Sequence, residues 1–204
     1  MQPIRAILIE PVGCLAEFPA GPFLEIAARG FGRKKKPARS ASRAYWHLLN
    51  LMEAADDLNS IESLELEAVE AAAVYEDVIP ALTELRSMGV QLLIASSLSD
   101  AAVNRFLERC GAAPFFSAVW TRTNAGGVKA VPLIAALRGL QRDQAVYLTD
   151  SAEGLKTAHL ASVPSILMMN DPDEARRLAL QGPAGGIVSL HELPDFLRVV
   201  SAQS

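Results

Sequence analysis

AILIEPVGCLAE, residues 6–17, is the stretch that decides how the chain is read. An unbroken apolar run ends in one carboxylate, Glu10, and Pro11, Val12 and Gly13 follow. A short apolar run bounded by turn residues suits a strand buried on both faces of a parallel sheet. In open α/β sheets, ligands bind beyond the carboxyl ends of the strands. The loop that begins at Glu10 is therefore where reactive groups are expected.

Outward from that stretch, the same pattern recurs. IRAILI (4–9), VQLLIA (90–95), AVYLT (145–149) and PSILMM (164–169) read as buried strands, with SAVW (117–120) and GGIV (185–188) as weaker ones. Amphipathic segments lie between them. VIPALTELRSMG (78–89) ends in a glycine suited to a helix C-cap. SDAAVNRFLERCG (99–111) opens with Ser99 and Asp100 and closes with Gly111. VPLIAALRGL (131–140), SAEGLKTAHLA (151–161), DEARRLALQG (173–182) and HELPDFLRVV (191–200) complete the set. Alternating strands and helices predict an α/β fold, a doubly wound, Rossmann-like parallel sheet.

Residues 21–75 break the alternation. FLEIAARGFG (23–32), SRAYWHLLNLMEAADD (42–57) and IESLELEAVEAAAVYED (61–77) read as three helices with no strong strand. They predict a small helical cap inserted after the first strand. The expected division is a core of residues 1–15 and 76–204 and a cap of residues 16–75. The basic run RKKKPAR (33–39) sits between two of the cap helices. It reads as a solvated loop, or more sharply as a phosphate-facing patch, and no aromatic platform is interleaved with it.

The bulk properties narrow the classes of function. The chain has 204 residues, half of them hydrophobic, and a net charge of −4. That length suits one domain with a full core and a small appended lobe. No apolar run is long enough to span a bilayer, and the first residues carry no signal-peptide pattern. With a pI near 5.4, nothing favours nucleic acid as a partner. Cys14 and Cys110 make neither a metal-spaced pair nor a disulfide framework. His47, His159 and His191 form no cluster, and Tyr45 and Trp46 sit in a helical pattern as cap packing. A cytoplasmic protein with no membrane partner is the expectation, its protein partners left open.

The residues just after the strands carry the chemistry. Glu10 follows the first, Ser96 and Ser97 follow VQLLIA, Lys129 follows the loop after SAVW, and Asp150 follows AVYLT. A hydroxyl and an ammonium are what a phosphoryl group needs. Two carboxylates are what Mg²⁺ needs. Each residue also has a plainer reading: Ser96 as a turn or cap residue, Lys129 as a solvated cation, Asp150 as a helix N-cap, Glu10 as a strand-end carboxylate bonded to loop N–H groups.

In their order these segments resemble the haloacid dehalogenase (HAD) superfamily, in its phosphatase and phosphoglucomutase-like branch with a helical cap. Its first motif, D-x-D-G-T/S-L, reads here Glu10-Pro11-Val12-Gly13-Cys14-Leu15. Its second is a Ser or Thr ending the next strand, here Ser96, and its third a Lys at a helix start, here Lys129. Its fourth, an acidic stretch such as E-D-S-x-x-G, is here Thr149-Asp150-Ser151-Ala152-Glu153-Gly154. The resemblance implies an aspartyl-phosphate nucleophile at the first position of motif one and an acid/base at the third. It also implies phosphate held by Ser96 and Lys129, and Mg²⁺ held by Glu10 and Asp150. With only those two evident side-chain ligands, weak Mg²⁺ binding is expected, and a small phosphorylated molecule is the expected partner.

Motif one departs from that pattern. Glutamate can act as a nucleophile, but one added methylene moves its carboxylate by roughly 1.5 Å. Misplacement near 1 Å costs about a hundredfold. Val12 transfers no proton, and general acid–base help is worth about 10²–10⁴-fold. Cys14 offers a thiol, with no base near it in sequence. The leading expectation is a HAD-fold protein with impaired or lost phosphatase chemistry, acting as a phosphate- or anion-binding or regulatory module. The alternatives are a weak or specialised Mg²⁺-dependent phosphomonoester hydrolase, with Glu10 and Lys129 catalytic, and an interaction protein acting through the cap.

Overall fold

The structure, a computed structural model, describes residues 3–19, 21, 45 and 59–202. The first two expected cap helices, the basic run 33–39, Trp46 and His47 lie outside the described residues, Tyr45 apart.

Six parallel strands form the main sheet: β1 (Ala6–Ile9), β4 (Gln91–Ala95), β5 (Ala118–Trp120), β6 (Ala145–Thr149), β7 (Ser165–Met168) and β8 (Gly185–Ile187). Their order is β5-β4-β1-β6-β7-β8, with β1 central. Every predicted strand is present. The physical reason is visible in the alternation along β1. Ile7 and Ile9 pack into one core with Leu82 and Phe106, while Ala6 and Leu8 pack into another with Leu133 and Tyr147. Leu92 and Ile94 of β4 pack in the first core, and Leu93 and Ala95 in the second. A strand covered on both faces has no solvated side, so its sequence reads as a continuous apolar run.

Helices cover the two faces: α1 (Asn59–Glu70), α2 (Val78–Ser87), α3 (Asp100–Arg109), α4 (Arg122–Ala125), α5 (Ala130–Ala136), α6 (Ala152–Leu160), α7 (Pro172–Ala179) and α8 (Glu192–Ala202). Ser99 caps α3 by accepting from Ala102 N–H, and Ser151 caps α6 by accepting from Gly154 N–H. Among the described residues no helix is long and apolar enough to cross a membrane.

The expected third cap helix needs correction. It stops at Glu70, and residues 73–74 form a strand, β3 (Ala73–Val74), antiparallel to β2 (Ala16–Glu17). Val74 pairs with Ala16, and Tyr75 N–H donates to Leu15 O at 3.1 Å. A β-branched and an aromatic residue after three alanines favour extension once a partner strand is available. Two-residue strands are too short to show period-two patterning. Arg109 of α3 holds the end of α1, donating to Val69 O at 3.1 Å and Ala72 O at 2.8 Å. A cation at a helix C-terminus satisfies its last carbonyls.

Candidate active site

The loop after β1 is tightly built. Gly13 has φ +76, a left-handed conformation that opens a turn. Its N–H donates to Ala16 O at 2.9 Å, and Leu15 N–H donates to Pro11 O at 2.9 Å. Asn170, just after β7, donates through Nδ2 to Gly13 O at 2.7 Å and to Asp150 Oδ2 at 3.3 Å. One amide thus ties the loop after β1 to the loop after β6.

Glu10 and Ser96 are brought together. Ser96 Oγ donates to Glu10 Oε1 at 2.7 Å and accepts from Leu98 N–H at 3.2 Å. Both residues are 1% exposed. Burial pushes the Glu10 carboxyl up from 4.5 to about 8. The Ser96 hydroxyl and the amides of Val12 and Ser97 pull it partly back, and the charge of Asp150 raises it further. Burial thus favours the protonated form of Glu10, which is the weaker nucleophile. Val12 and Cys14 are turned into the core beside it. Burial, then Asp150 and Glu10, push the Cys14 thiol well above its ordinary value, which leaves it protonated and unreactive.

The other expected residues sit on neighbouring loops. Lys129 is half-buried, and its N–H donates to Ser97 Oγ at 2.7 Å. Its backbone lies at φ 59, ψ −112, a region that disfavours side chains. Asp150 is half-buried and does not cap α6, since Ser151 does so. Gly154 lets α6 sit against the end of β6. A Cβ there would come within 1.8 Å of Thr149 Oγ1.

Sequence reasoning missed several groups. Glu65 of α1 forms a fully buried ion pair with Arg122 of α4. Arg122 also donates to Ser97 O at 3.2 Å, and Glu65 Oε2 accepts from Ser99 N–H at 3.0 Å. The pair joins the inserted segment to the loop that carries Ser96. Desolvation still raises the Glu65 carboxyl, ahead of the opposing pull of Arg122. Tyr45, also from the insertion, is fully buried. Its hydroxyl is pushed far up by burial and by Glu10 and Glu65, and drawn back by Arg122. Arg122 and Asn170 could have been found by the rule that located Asp150, because each closely follows a strand. Glu65 gave no such signal, and Tyr45 was expected only as cap packing.

The donor set fits Mg²⁺ poorly. Among the described residues no three His, Cys, Asp or Glu side chains cluster to hold a metal. Of the two carboxyl groups expected to serve, Glu10 is buried and accepts from Ser96, and Asp150 accepts from Asn170. Mg²⁺ tolerates misplaced ligands badly, and no chemical step is assigned to it.

The haloacid dehalogenase-like hydrolase family model matches residues 39–168. That stretch includes Ser96, Lys129 and Asp150 and begins after Glu10 and Val12. Solved structures share the fold. A HAD phosphatase from Thermococcus onnurineus is 20% identical with a TM-score of 0.65, covering 95% of this chain and 98% of its own. A haloacid dehalogenase-like hydrolase from Streptococcus pneumoniae is 15% identical with a TM-score of 0.71, covering 96% and 99%. L-2-haloacid dehalogenase from Xanthobacter autotrophicus, with chloropropionic acid covalently bound, is 15% identical with a TM-score of 0.67, covering 96% and 98%. No curated protein matches the chain.

Proposed function

The chain belongs to the haloacid dehalogenase-like hydrolase family, and from that premise we propose that its phosphatase chemistry is impaired or lost while an anion-binding or regulatory role remains. The observation that carries this reading is Glu10, 1% exposed, hydrogen-bonded to Ser96 and pushed up to about 8. A neutral carboxyl cannot attack phosphorus, and Val12 beside it has no proton to give. Effects within one site need not add, yet the acid–base loss alone is worth about 10²–10⁴-fold.

Ser96 and Lys129 are the groups proposed to hold a phosphate or other small anion, with Mg²⁺ binding weak at most. A second reading, a weak Mg²⁺-dependent hydrolase using Glu10, draws on the charge of Asp150 felt at Glu10. A phosphatase screen with Mg²⁺ separates the two. The expected result is turnover at background level, equal in wild type and Glu10→Gln. Turnover in wild type that Glu10→Gln abolishes would overturn the non-catalytic reading.

A further inference from the structure

Arg122 stands where two loops meet. It opens α4 just after β5 and is buried. Toward the loop after β4, its N–H donates to Leu98 O and its guanidinium to Ser97 O, each at 3.2 Å. Toward the loop that ends at Lys129, its carbonyl accepts from Gly126 N–H at 3.1 Å and from Gly127 N–H at 3.0 Å. The loop that carries Ser96 and the loop that carries Lys129 are thus both fixed to one residue.

Glu65 completes the arrangement. One of its carboxylate oxygens pairs with Arg122, and the other accepts from Ser99 N–H at 3.0 Å. The stretch 97–99 is thereby gripped at Ser97 O, Leu98 O and Ser99 N–H. Two further bonds carry that placement to the expected anion ligands. Ser96 Oγ accepts from Leu98 N–H at 3.2 Å, and Ser97 Oγ accepts from Lys129 N–H at 2.7 Å. The backbone of Lys129, at φ 59 and ψ −112, is costly and persists only where its surroundings over-determine it.

Stability alone does not account for the pair. Apolar side chains of similar volume often stabilise as well as a buried ion pair, because desolvation offsets the attraction. Apolar side chains cannot hold Ser97 O and Ser99 N–H in place. We propose that Arg122, oriented by Glu65, is a positioning residue for the anion site. It sets the separation of Ser96 from Lys129, and with it the affinity for a small oxyanion such as phosphate. The proposal rests on the reading of Ser96 and Lys129 as that site.

The test uses the full chain. Calorimetry with inorganic phosphate reports binding, and hydrogen exchange at the Lys129 amide, followed by NMR, reports whether that loop stays docked. This amide bonds to Ser97 and not to either member of the pair, so a purely structural role for the pair leaves it unmoved. Glu65→Leu with Arg122→Met is compared with wild type and with Lys129→Ala. Should melting show the double variant unfolded, Arg122→Lys takes its place, since an ammonium keeps the charge pair but lacks the planar fork that serves Glu65 and Ser97 O together. The expected result is a folded variant with faster exchange at Lys129 and phosphate affinity lowered roughly tenfold or more, the worth of one charge-assisted hydrogen bond. A folded variant that binds phosphate as tightly as wild type overturns the positioning role and leaves the anion site standing. Affinity lost with the Lys129 amide still protected overturns the positioning role as well. Wild type that binds no phosphate, or Lys129→Ala that binds it as tightly as wild type, overturns the anion site and the proposal with it.

Discussion

The loop after β1 and the loop after β6 leave adjacent strands, and Asn170 bonds to both. Each depends on a glycine, Gly13 for its turn and Gly154 for close packing of α6. Their side chains differ. After β6, Asp150 remains partly open to solvent. After β1, Glu10, Val12 and Cys14 are all turned inward and at most 1% exposed. The two loops are built alike in backbone, while only the loop after β6 presents a carboxylate that is partly exposed. Backbone hydrogen bonds and glycine geometry do not depend on the side chains they carry, so scaffold and reactivity can part.

The largest expected effect concerns the charge of Glu10. Below about pH 4.5 both folded and unfolded chains hold this proton. Between there and about 8 the unfolded chain releases it and the folded chain keeps it. Stability contributed by Glu10 is therefore full below the unfolded value and lost as pH rises to about 8. The difference between 4.5 and about 8 is worth roughly 5 kcal/mol. Chemical denaturation across this window should show wild type losing stability relative to Glu10→Gln as pH rises. Parallel curves for the two proteins would place Glu10 in a wetter environment and erase the contrast with Asp150.

Next comes the ion pair that binds the insertion to the Ser96 loop. Removing one partner, as in Arg122→Ala or Glu65→Ala, should cost about 3–5 kcal/mol by leaving a buried charge alone. Replacing both, as Glu65→Leu with Arg122→Met, should cost far less, because desolvation already offsets the attraction. Equilibrium unfolding of the two single variants and the double variant gives the coupling. A double variant as damaged as the two singles together would show no coupling between Glu65 and Arg122 and contradict their role as a pair.

A smaller effect should come from the loop that kept its side chains. Gly154→Ala places a methyl against Thr149 Oγ1 and should cost roughly 1–3 kcal/mol. Thermal unfolding checks it. An unchanged melting point would mean that α6 can slide, and that Asp150 is held less firmly than the structure implies.

Much of this was legible in the sequence. Continuous apolar runs marked the four inner strands of the main sheet, because burial on both faces leaves no polar side to obscure them, and the less buried edge strands β5 and β8 read more weakly. The rule that groups after strand ends matter found Glu10, Ser96 and Asp150. The same rule named Lys129, whose amide is bonded to Ser97. What escaped reading depended on long-range contact. β2 and β3 exist through pairing between residues far apart in the chain. Glu65 looked like one more acid on a helix, until Arg122 met it across 57 positions. The capping role considered for Asp150 went to Ser151, one residue later. Burial of Glu10 could not be read from the loop's composition, since its partner Ser96 lies 86 positions away in the chain.

The contrast between the two loops is tested most directly by restoring the side chains motif one lacks. Glu10→Asp with Val12→Asp supplies a nucleophile and an acid on a backbone that is otherwise intact. The account expects the double variant to gain Mg²⁺-dependent hydrolysis of a generic phosphate monoester, roughly 10²-fold or more above wild type. Glu10→Asp alone should gain little. Repulsion among the new carboxylates and Asp150 should lower stability without Mg²⁺. A double variant that folds and stays inert at saturating Mg²⁺ would contradict the claim that the scaffold has outlasted its chemistry.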